Sequence, residues 1–229
     1  MAEEKTSKIK NVIRGIALLG TLLVLFFGSA GTFDWPEAWL FLIFYATSVT
    51  GMVVWLKKNA PELLEERMSK RKDAKTWDKI ILTVYSFIVM AMVVVAGLDA
   101  VRYQWTHVPL WTKILGFSAF IPAYALVFWT VTQNPYLSEV VRIQKDRGHK
   151  VCTTGPYKYV RHPMYVGVIL FVLCFPIALG SFYALILSAI IVSLFTIRTS
   201  LEDKTLHNEL PGYKEYAEQV RYKLIPGIW

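Results

Sequence analysis

Cysteine, histidine and charge are all scarce in this sequence of 229 residues. The two cysteines, Cys152 and Cys174, fall in a basic stretch and in an apolar run, so a disulfide framework is not indicated. The four histidines show no zinc-type spacing with the cysteines, and no metal is expected. Charged residues make up 18% of the chain, whereas globular domains average about 25%. The composition therefore points away from disulfide-rich, zinc-binding and ordinary soluble proteins.

Apolar residues take the place of the missing charge, at 55% of the chain. With their flanks, six apolar runs approach the length of about 20 residues that a helix needs to cross a bilayer. These runs cover residues 16–27, 37–56, 80–98, 110–131, 164–179 and 182–197. The sequence thus predicts an all-α integral-membrane protein of about six transmembrane helices, forming a single membrane domain over residues 1–229. Pro122 lies inside the fourth run and is expected to kink that helix or to free a carbonyl there.

The first apolar run has a second interpretation. A basic start, a short apolar run and the small residues Gly28, Ser29 and Ala30 also fit a secretory signal peptide. We favour a retained first helix.

The positive charge is distributed unevenly between the apolar runs. The net charge of +8 would suggest a nucleic-acid partner in a soluble protein, but here it follows the membrane pattern and no nucleic acid is expected. Of the 25 Lys and Arg residues, 23 lie before the first run, in 57–79, in 132–163 or from residue 198 onward. Six spans place these four segments on one side, which the positive-inside rule makes cytoplasmic. Both termini are therefore expected on the cytoplasmic side.

A dense charged segment joins the second and third runs at residues 57–79. Leu63, Leu64, Met68 and Trp77 fit one apolar face of a surface helix within it. We interpret this segment as a solvated helix that takes no part in catalysis.

Two polar clusters stand out at the ends of the later runs. Residues 149–167, HKVCTTGPYKYVRHPMYVG, are polar, basic and rich in tyrosine, and Pro163 stands at a favoured first-turn helix position. Non-helical backbone between membrane helices is tolerated where it lines a cavity. After the sixth run, Arg198, Glu202 and Leu206 share one face if the helix continues. Spacing alone leaves open an Arg198–Glu202 surface pair worth about 0.3–0.5 kcal/mol.

Three motifs together resemble a known family. They are RHPMYVG at 161–167, RTSLEDKTL at 198–206 and YKEYAEQV at 213–220. In this combination they resemble the isoprenylcysteine carboxyl methyltransferase family, which are integral-membrane enzymes that use S-adenosylmethionine. The likeness covers residues 133–226, and none is seen in the first three spans. It implies a catalytic core in residues 109–229 and a cofactor site at the cytoplasmic face, built from loop 132–163, the last helical hairpin and the C-terminal tail.

The resemblance also implies roles for individual residues. Arg198 matches the arginine that acts on the substrate side, and Glu202 matches the acid that binds the cofactor. The other cofactor contacts that the resemblance implies are His149, Lys150, Val151, Cys152, Tyr157, His162, Pro163, Met164 and Tyr165. Asp203 stands where the family typically has Glu, and Arg142 where relatives often have Gln, so neither is assigned a role.

The chemistry of methyl transfer suits these residue types. Glu202 would pair with the amino group of S-adenosylmethionine, and Arg161, His162 or the N–H groups that follow Pro163 would hold its carboxylate. Arg198 would hold an anionic acceptor, bidentately if that acceptor is a carboxylate. The predicted function is methyl transfer to a hydrophobic or lipid-like acceptor, most simply a carboxylate or a thiol. A membrane reductase using NADPH on a sterol-like lipid and a non-enzymatic membrane binding protein remain as alternatives.

Overall fold

A computed structural model describes residues 20–68 and 73–229. Every regular element in these ranges is helical, with no strand, so the all-α prediction is confirmed for the described chain. The helices are α1 over residues 20–30 with the π-helical turn Val24–Gly28, α2 Pro36–Asn59, α3 Pro61–Met68, α4 Thr76–Gly97 with the π-helical extension Leu98–Arg102, α5 Leu110–Gln133, α6 Pro163–Leu179, α7 Ala184–Glu209 and α8 Tyr213–Gln219.

Four of these helices are long and apolar enough to cross a membrane: α2, α4 with its extension, α5 and α7. The apolar helix α6 has 17 residues, so it is about 26 Å long and slightly shorter than a bilayer core of about 30 Å. The first predicted span, residues 16–27, begins outside the described residues. The chain is therefore an α-helical multi-pass membrane protein, and the count of six spans stays a prediction.

The apolar core lies among α1, α2, α4, α5, α6 and α7. Phe26, Phe120, Leu179 and Ile191 are completely enclosed there. Helices α5 and α6 share the most extensive interface among the described helices. They approach closely at Gly116, where a Cβ would lie 2.7 Å from the backbone nitrogen of Ala178. Helix α5 runs through Pro122 without interruption, so this proline does not end the span.

The two ends of the bundle are chemically different. At one end Asp99 is fully buried and accepts hydrogen bonds from the hydroxyls of Thr106 at 2.8 Å and Ser181 at 2.6 Å. At the opposite end the segments 57–68, 73–79, 132–162 and 198–229 meet, and Lys75 forms a 2.6 Å salt bridge with Glu209. These segments were predicted to share one side of the membrane, and they do share one end of the bundle.

The segment 57–79 does not behave as a solvated helix. Leu63 is 1% exposed and packs with Leu56 and Val131. Glu66 is also 1% exposed, and Asp78 is completely buried. The prediction of a solvated helix is therefore wrong, because the buried face packs on the end of α5 and its acids reach loop 132–162. That the segment takes no part in catalysis stays a prediction.

Candidate functional site

The site lies where α7 extends beyond its apolar part. The helix continues to Glu209, so Arg198, Glu202 and Leu206 form one face, as the spacing predicted. All three line a cleft that is partly open to solvent. The opposite wall is formed by loop 132–162 and the start of α6, and one end is closed by α8.

Ten of the eleven predicted site residues line this cleft. They are His149, Lys150, Val151, Cys152, Tyr157, His162, Met164, Tyr165, Arg198 and Glu202. Pro163, predicted as a cofactor contact, is the exception. It occupies the first position of α6, where its ring sets the backbone and its missing N–H costs nothing.

Glu202 faces the corner formed by His162 and Tyr165. The Tyr165 hydroxyl donates a hydrogen bond to Glu202 Oε2. The His162 and Tyr165 rings lie parallel, 5.8 Å apart between centroids. Within the described chain no cationic side chain forms a salt bridge with Glu202, so this carboxylate is available to a positively charged ligand.

Tyr157 is held rigidly by a tight turn. Gly155 has a φ of +56°, and a Cβ there would lie 2.4 Å from Gln133 Cγ, so only glycine fits. Asn134 donates to the Tyr157 hydroxyl at 2.8 Å, and the Tyr216 hydroxyl donates to the Tyr157 carbonyl at 2.8 Å. Burial raises the pKa of Tyr157, so its phenol stays neutral.

The segment 149–152 presents backbone to the cleft. In the part of the chain that the structure describes, the N–H and C=O groups of Lys150, Val151 and Cys152 have no protein partner. His149 packs on the Tyr136 ring at 4.7 Å between centroids. Burial, and then the charges of Arg142 and Arg147, lower the pKa of His149 to about 4, so its imidazole is neutral at pH 7.

Arg198 is more constrained than predicted. It is 4% exposed, and its Nε donates to Asp78 Oδ1 at 2.7 Å. Its Nη2 donates to the Glu139 carbonyl at 2.9 Å and to Asp78 Oδ2 at 3.3 Å. The bidentate edge of the guanidinium is therefore occupied by protein, which corrects the expected bidentate grip on an acceptor and also excludes a simple Arg198–Glu202 surface pair. Only Nη1 has no partner among the described residues.

Asp203, which had no assigned role, joins the site to the C-terminal tail. It receives Arg161 Nε at 2.8 Å and the Tyr213 hydroxyl at 2.9 Å, and it lies 3.3 Å from His162 Nε2. Arg161 also donates to the carbonyls of Val220 and Arg221, at 2.8 Å each. Arg161 thus holds the tail in place, which does not support its suggested role in binding the cofactor carboxylate.

Arg142 lines the cleft but is enclosed by acids. It forms a bidentate pair with Glu66, with both distances 2.9 Å, and contacts Asp73 at 2.9 Å and Asp146 at 3.1 Å. These contacts, led by the hydrogen bonds that Arg142 donates to Glu66, raise the pKa of Arg142. Arg142 therefore fastens the cleft loop to α3 and is not free for a ligand.

Sequence reasoning missed the acids that come from the N-terminal half. Asp78 and Glu66 lie in a segment without family likeness, and their partners are 120 and 76 residues away in the chain. One signal was present: the predicted topology puts Asp78, in the first turn of α4, at the same end of the bundle as Arg198. Among residues 20–68 and 73–229, no three His, Cys, Asp or Glu side chains come together as metal ligands.

Comparisons with known proteins agree with the geometry. Residues 114–208 match the isoprenylcysteine carboxyl methyltransferase family, so the resemblance seen in the motifs is confirmed. The chain is also similar to a protein of Schizosaccharomyces pombe named protein-S-isoprenylcysteine O-methyltransferase, with 30% identity over 118 residues. That match covers 51% of this chain and 48% of the relative, so the chain matches about half of the relative's length.

Proposed function

We propose that this chain, whose residues 114–208 match the isoprenylcysteine carboxyl methyltransferase family, transfers a methyl group from S-adenosylmethionine to the carboxylate of a hydrophobic acceptor at the membrane. The observation that carries the proposal is Glu202, a carboxylate that faces the cleft and, among residues 20–68 and 73–229, has only the Tyr165 hydroxyl as its hydrogen-bond partner. S-adenosylmethionine, when bound, supplies a methyl group on a positively charged sulfur.

The polar groups of the cleft fit the parts of that cofactor. Glu202 would accept the α-amino group, a charge-assisted hydrogen bond that is stronger than a neutral one. The cofactor carboxylate would be held at the start of α6, where the Met164 N–H has no protein partner in the described chain and His162 Nδ1 is also without one.

The adenine end of the cofactor fits the wall made by loop and tail. The unpaired backbone edge of residues 150–152 offers both a donor and an acceptor, which the edge of an adenine ring needs. The aromatic cluster of Tyr157, Tyr213 and Tyr216 lies beside it and would pack on a planar base. In this arrangement His149 is neutral, so it adds no positive charge beside the cationic cofactor.

The acceptor would be held at the Arg198 end of the cleft. Arg198 Nη1 would donate to one oxygen of the acceptor carboxylate, and Leu137, Val140 and Val141 supply apolar walls there. The acceptor oxygen forms a bond to the methyl carbon while the carbon–sulfur bond breaks and its electron pair stays on sulfur. No proton moves, so alignment and exclusion of water supply the catalysis and no general base is required.

The acceptor class follows from the same groups. The relative from Schizosaccharomyces pombe is named for S-isoprenylcysteine, which combines a long apolar chain with a free carboxylate. Arg198 Nη1 would bind the carboxylate, and the apolar side chains beside it would contact the apolar chain. We also propose that the site faces the cytoplasm, where the cofactor is available. The distribution of basic residues supports this orientation.

Mass spectrometry tests the proposal. Purified protein in lipid nanodiscs is incubated with trideuteromethyl-labelled S-adenosylmethionine and one of three acceptors: N-acetyl-S-farnesylcysteine, its C-terminal amide, or farnesyl thiol. The expected product is the labelled methyl ester of the first acceptor, with none from the amide. Label on the thiol alone would contradict the carboxylate, and no labelled product from any acceptor would contradict methyl transfer to this class.

A further inference from the structure

Asp78 is a buried acid that no part of the family match explains. It lies in the first turn of α4, outside residues 114–208, and its side chain has no exposure. It accepts Arg198 Nε at 2.7 Å on one oxygen and the Val141 N–H at 2.7 Å on the other. One carboxylate therefore joins α4, α7 and the cleft loop at the point where the acceptor is proposed to bind.

The contacts of Arg198 determine which part of it faces the cleft. Asp78 and the Glu139 carbonyl take Nε and Nη2. The guanidinium carbon lies over the rings of Tyr165, 5.2 Å from its centroid, and Phe195, 5.8 Å from its centroid. Because Nε and Nη2 are hydrogen-bonded to protein, the guanidinium can present only Nη1 to a ligand.

The charge of the pair matters as much as its geometry. A buried arginine without a counter-ion costs several kcal/mol, and Asp78 removes that cost. The pair is neutral as a whole, so a bound acceptor carboxylate meets a directed hydrogen bond at Nη1 and no uncompensated positive charge. An uncompensated guanidinium would bind the carboxylate more tightly and make it a weaker nucleophile.

We infer that Asp78 is a positioning residue that fixes Arg198 so that a single N–H corner aligns the acceptor carboxylate. This inference rests on the proposed function and deepens it, because it assigns part of the acceptor site to the N-terminal half of the chain. The role is assigned to Asp78 and not to Asp99, which is equally buried but lies at the other end of the bundle, where it contacts Thr106 and Ser181.

Kinetics on three variants test the inference. Asp78→Asn is expected to lower kcat for N-acetyl-S-farnesylcysteine by about tenfold or more, because small misplacements of reacting groups are costly. The KM for that acceptor is expected to stay the same or fall. The Kd of S-adenosylhomocysteine should change less than twofold. Asp78→Glu keeps the ion pair but moves the guanidinium by one methylene, and kcat should fall again. Asp99→Asn, the matched control, should keep the wild-type kcat per folded molecule.

A double-mutant cycle then separates positioning from general stability. If Asp78 acts through Arg198, the double variant Asp78→Asn/Arg198→Gln should have the same kcat as Arg198→Gln alone. Independent effects that multiply in the double variant would overturn the inference. So would a wild-type kcat in Asp78→Glu.

An NMR measurement gives a readout that does not depend on activity. In protein labelled at arginine ¹⁵Nε, the signal missing from Arg198→Lys identifies the Arg198 Nε–H. Its exchange with water should be slow in wild type and in Asp99→Asn, and at least tenfold faster in Asp78→Asn. Unchanged exchange in Asp78→Asn would overturn the positioning role. If wild type transfers no methyl group, the proposed function fails while this measurement still judges the Asp78–Arg198 pair.

Discussion

Replacing Glu202 with Gln should weaken cofactor binding by a measurable and bounded amount. The carboxylate lines the cleft and accepts a hydrogen bond from the Tyr165 hydroxyl, so most of its charge is available to a bound ammonium group. Hydrogen bonds to charged groups contribute about 1.5–3 kcal/mol. Since about 1.4 kcal/mol is a factor of ten, the Kd should rise by roughly 10- to 150-fold.

Isothermal titration calorimetry with S-adenosylhomocysteine in detergent measures this effect. That ligand carries the same α-amino group as the methyl donor but no sulfonium, so the change reports on the amino contact alone. Tyr165→Phe keeps the carboxylate and removes one neutral hydrogen bond. It should weaken the binding free energy by about 0.5–1.5 kcal/mol, which raises the Kd by less than about tenfold. Glu218→Gln, on the exposed side of α8, is the matched control and should leave the Kd unchanged. A Kd for Glu202→Gln within twofold of wild type would refute the assignment.

Three further predictions follow from the same contacts. Arg198→Gln should leave the Kd of S-adenosylhomocysteine within twofold and lower kcat, measured by methyl-ester formation; loss of both together would contradict the division between cofactor and acceptor. Asp203→Asn should lower stability by about 3 kcal/mol, because it leaves Arg161 buried without its acid. Thermal unfolding and protease cleavage within residues 210–229 measure this loss, with Asp34→Asn at an exposed position as the control. Equal stability of the two variants would contradict the prediction. For His149, the folded pKa of about 4 lies below the ordinary 6.5, so the unfolded chain binds more protons between these values. Stability should therefore fall as pH drops from 6.5 towards 4, by at most about 3 kcal/mol, and His149→Gln should flatten that dependence; an unchanged pH profile in the variant would contradict it.

The sequence was informative where chemistry is local. Apolar runs predicted α2, α4, α5, α6 and α7 to within a few residues at most ends, because length and hydropathy determine membrane helices. The i,i+4 spacing of Arg198, Glu202 and Leu206 predicted a shared face, since α7 continues well past the bilayer-length apolar stretch. The motif at 149–165 predicted most of the opposite wall.

The sequence was uninformative where the partners are distant. The apolar face of segment 57–79 gave no sign that Glu66 would hold Arg142 or that Asp78 would hold Arg198, because such pairs depend on how the spans pack. The same limit applies to Asp203, whose neighbours Arg161 and Tyr213 come from two other segments. Pro163 is the one predicted contact that does not line the cleft, because its ring occupies the first position of α6, where proline suits the backbone. Its contact with the cofactor stays a prediction.

The central claim is that a cationic methyl donor binds between loop 149–165 and the outer end of α7. Ultraviolet cross-linking of methyl-labelled S-adenosylmethionine to the protein, followed by peptide mass spectrometry, tests it directly. Label within residues 149–165 or 198–216, reduced by Glu202→Gln and competed by S-adenosylhomocysteine, is the predicted result. Label confined to residues 20–133 would contradict the claim. Label within residues 149–165 or 198–216 that S-adenosylhomocysteine does not compete would also contradict it.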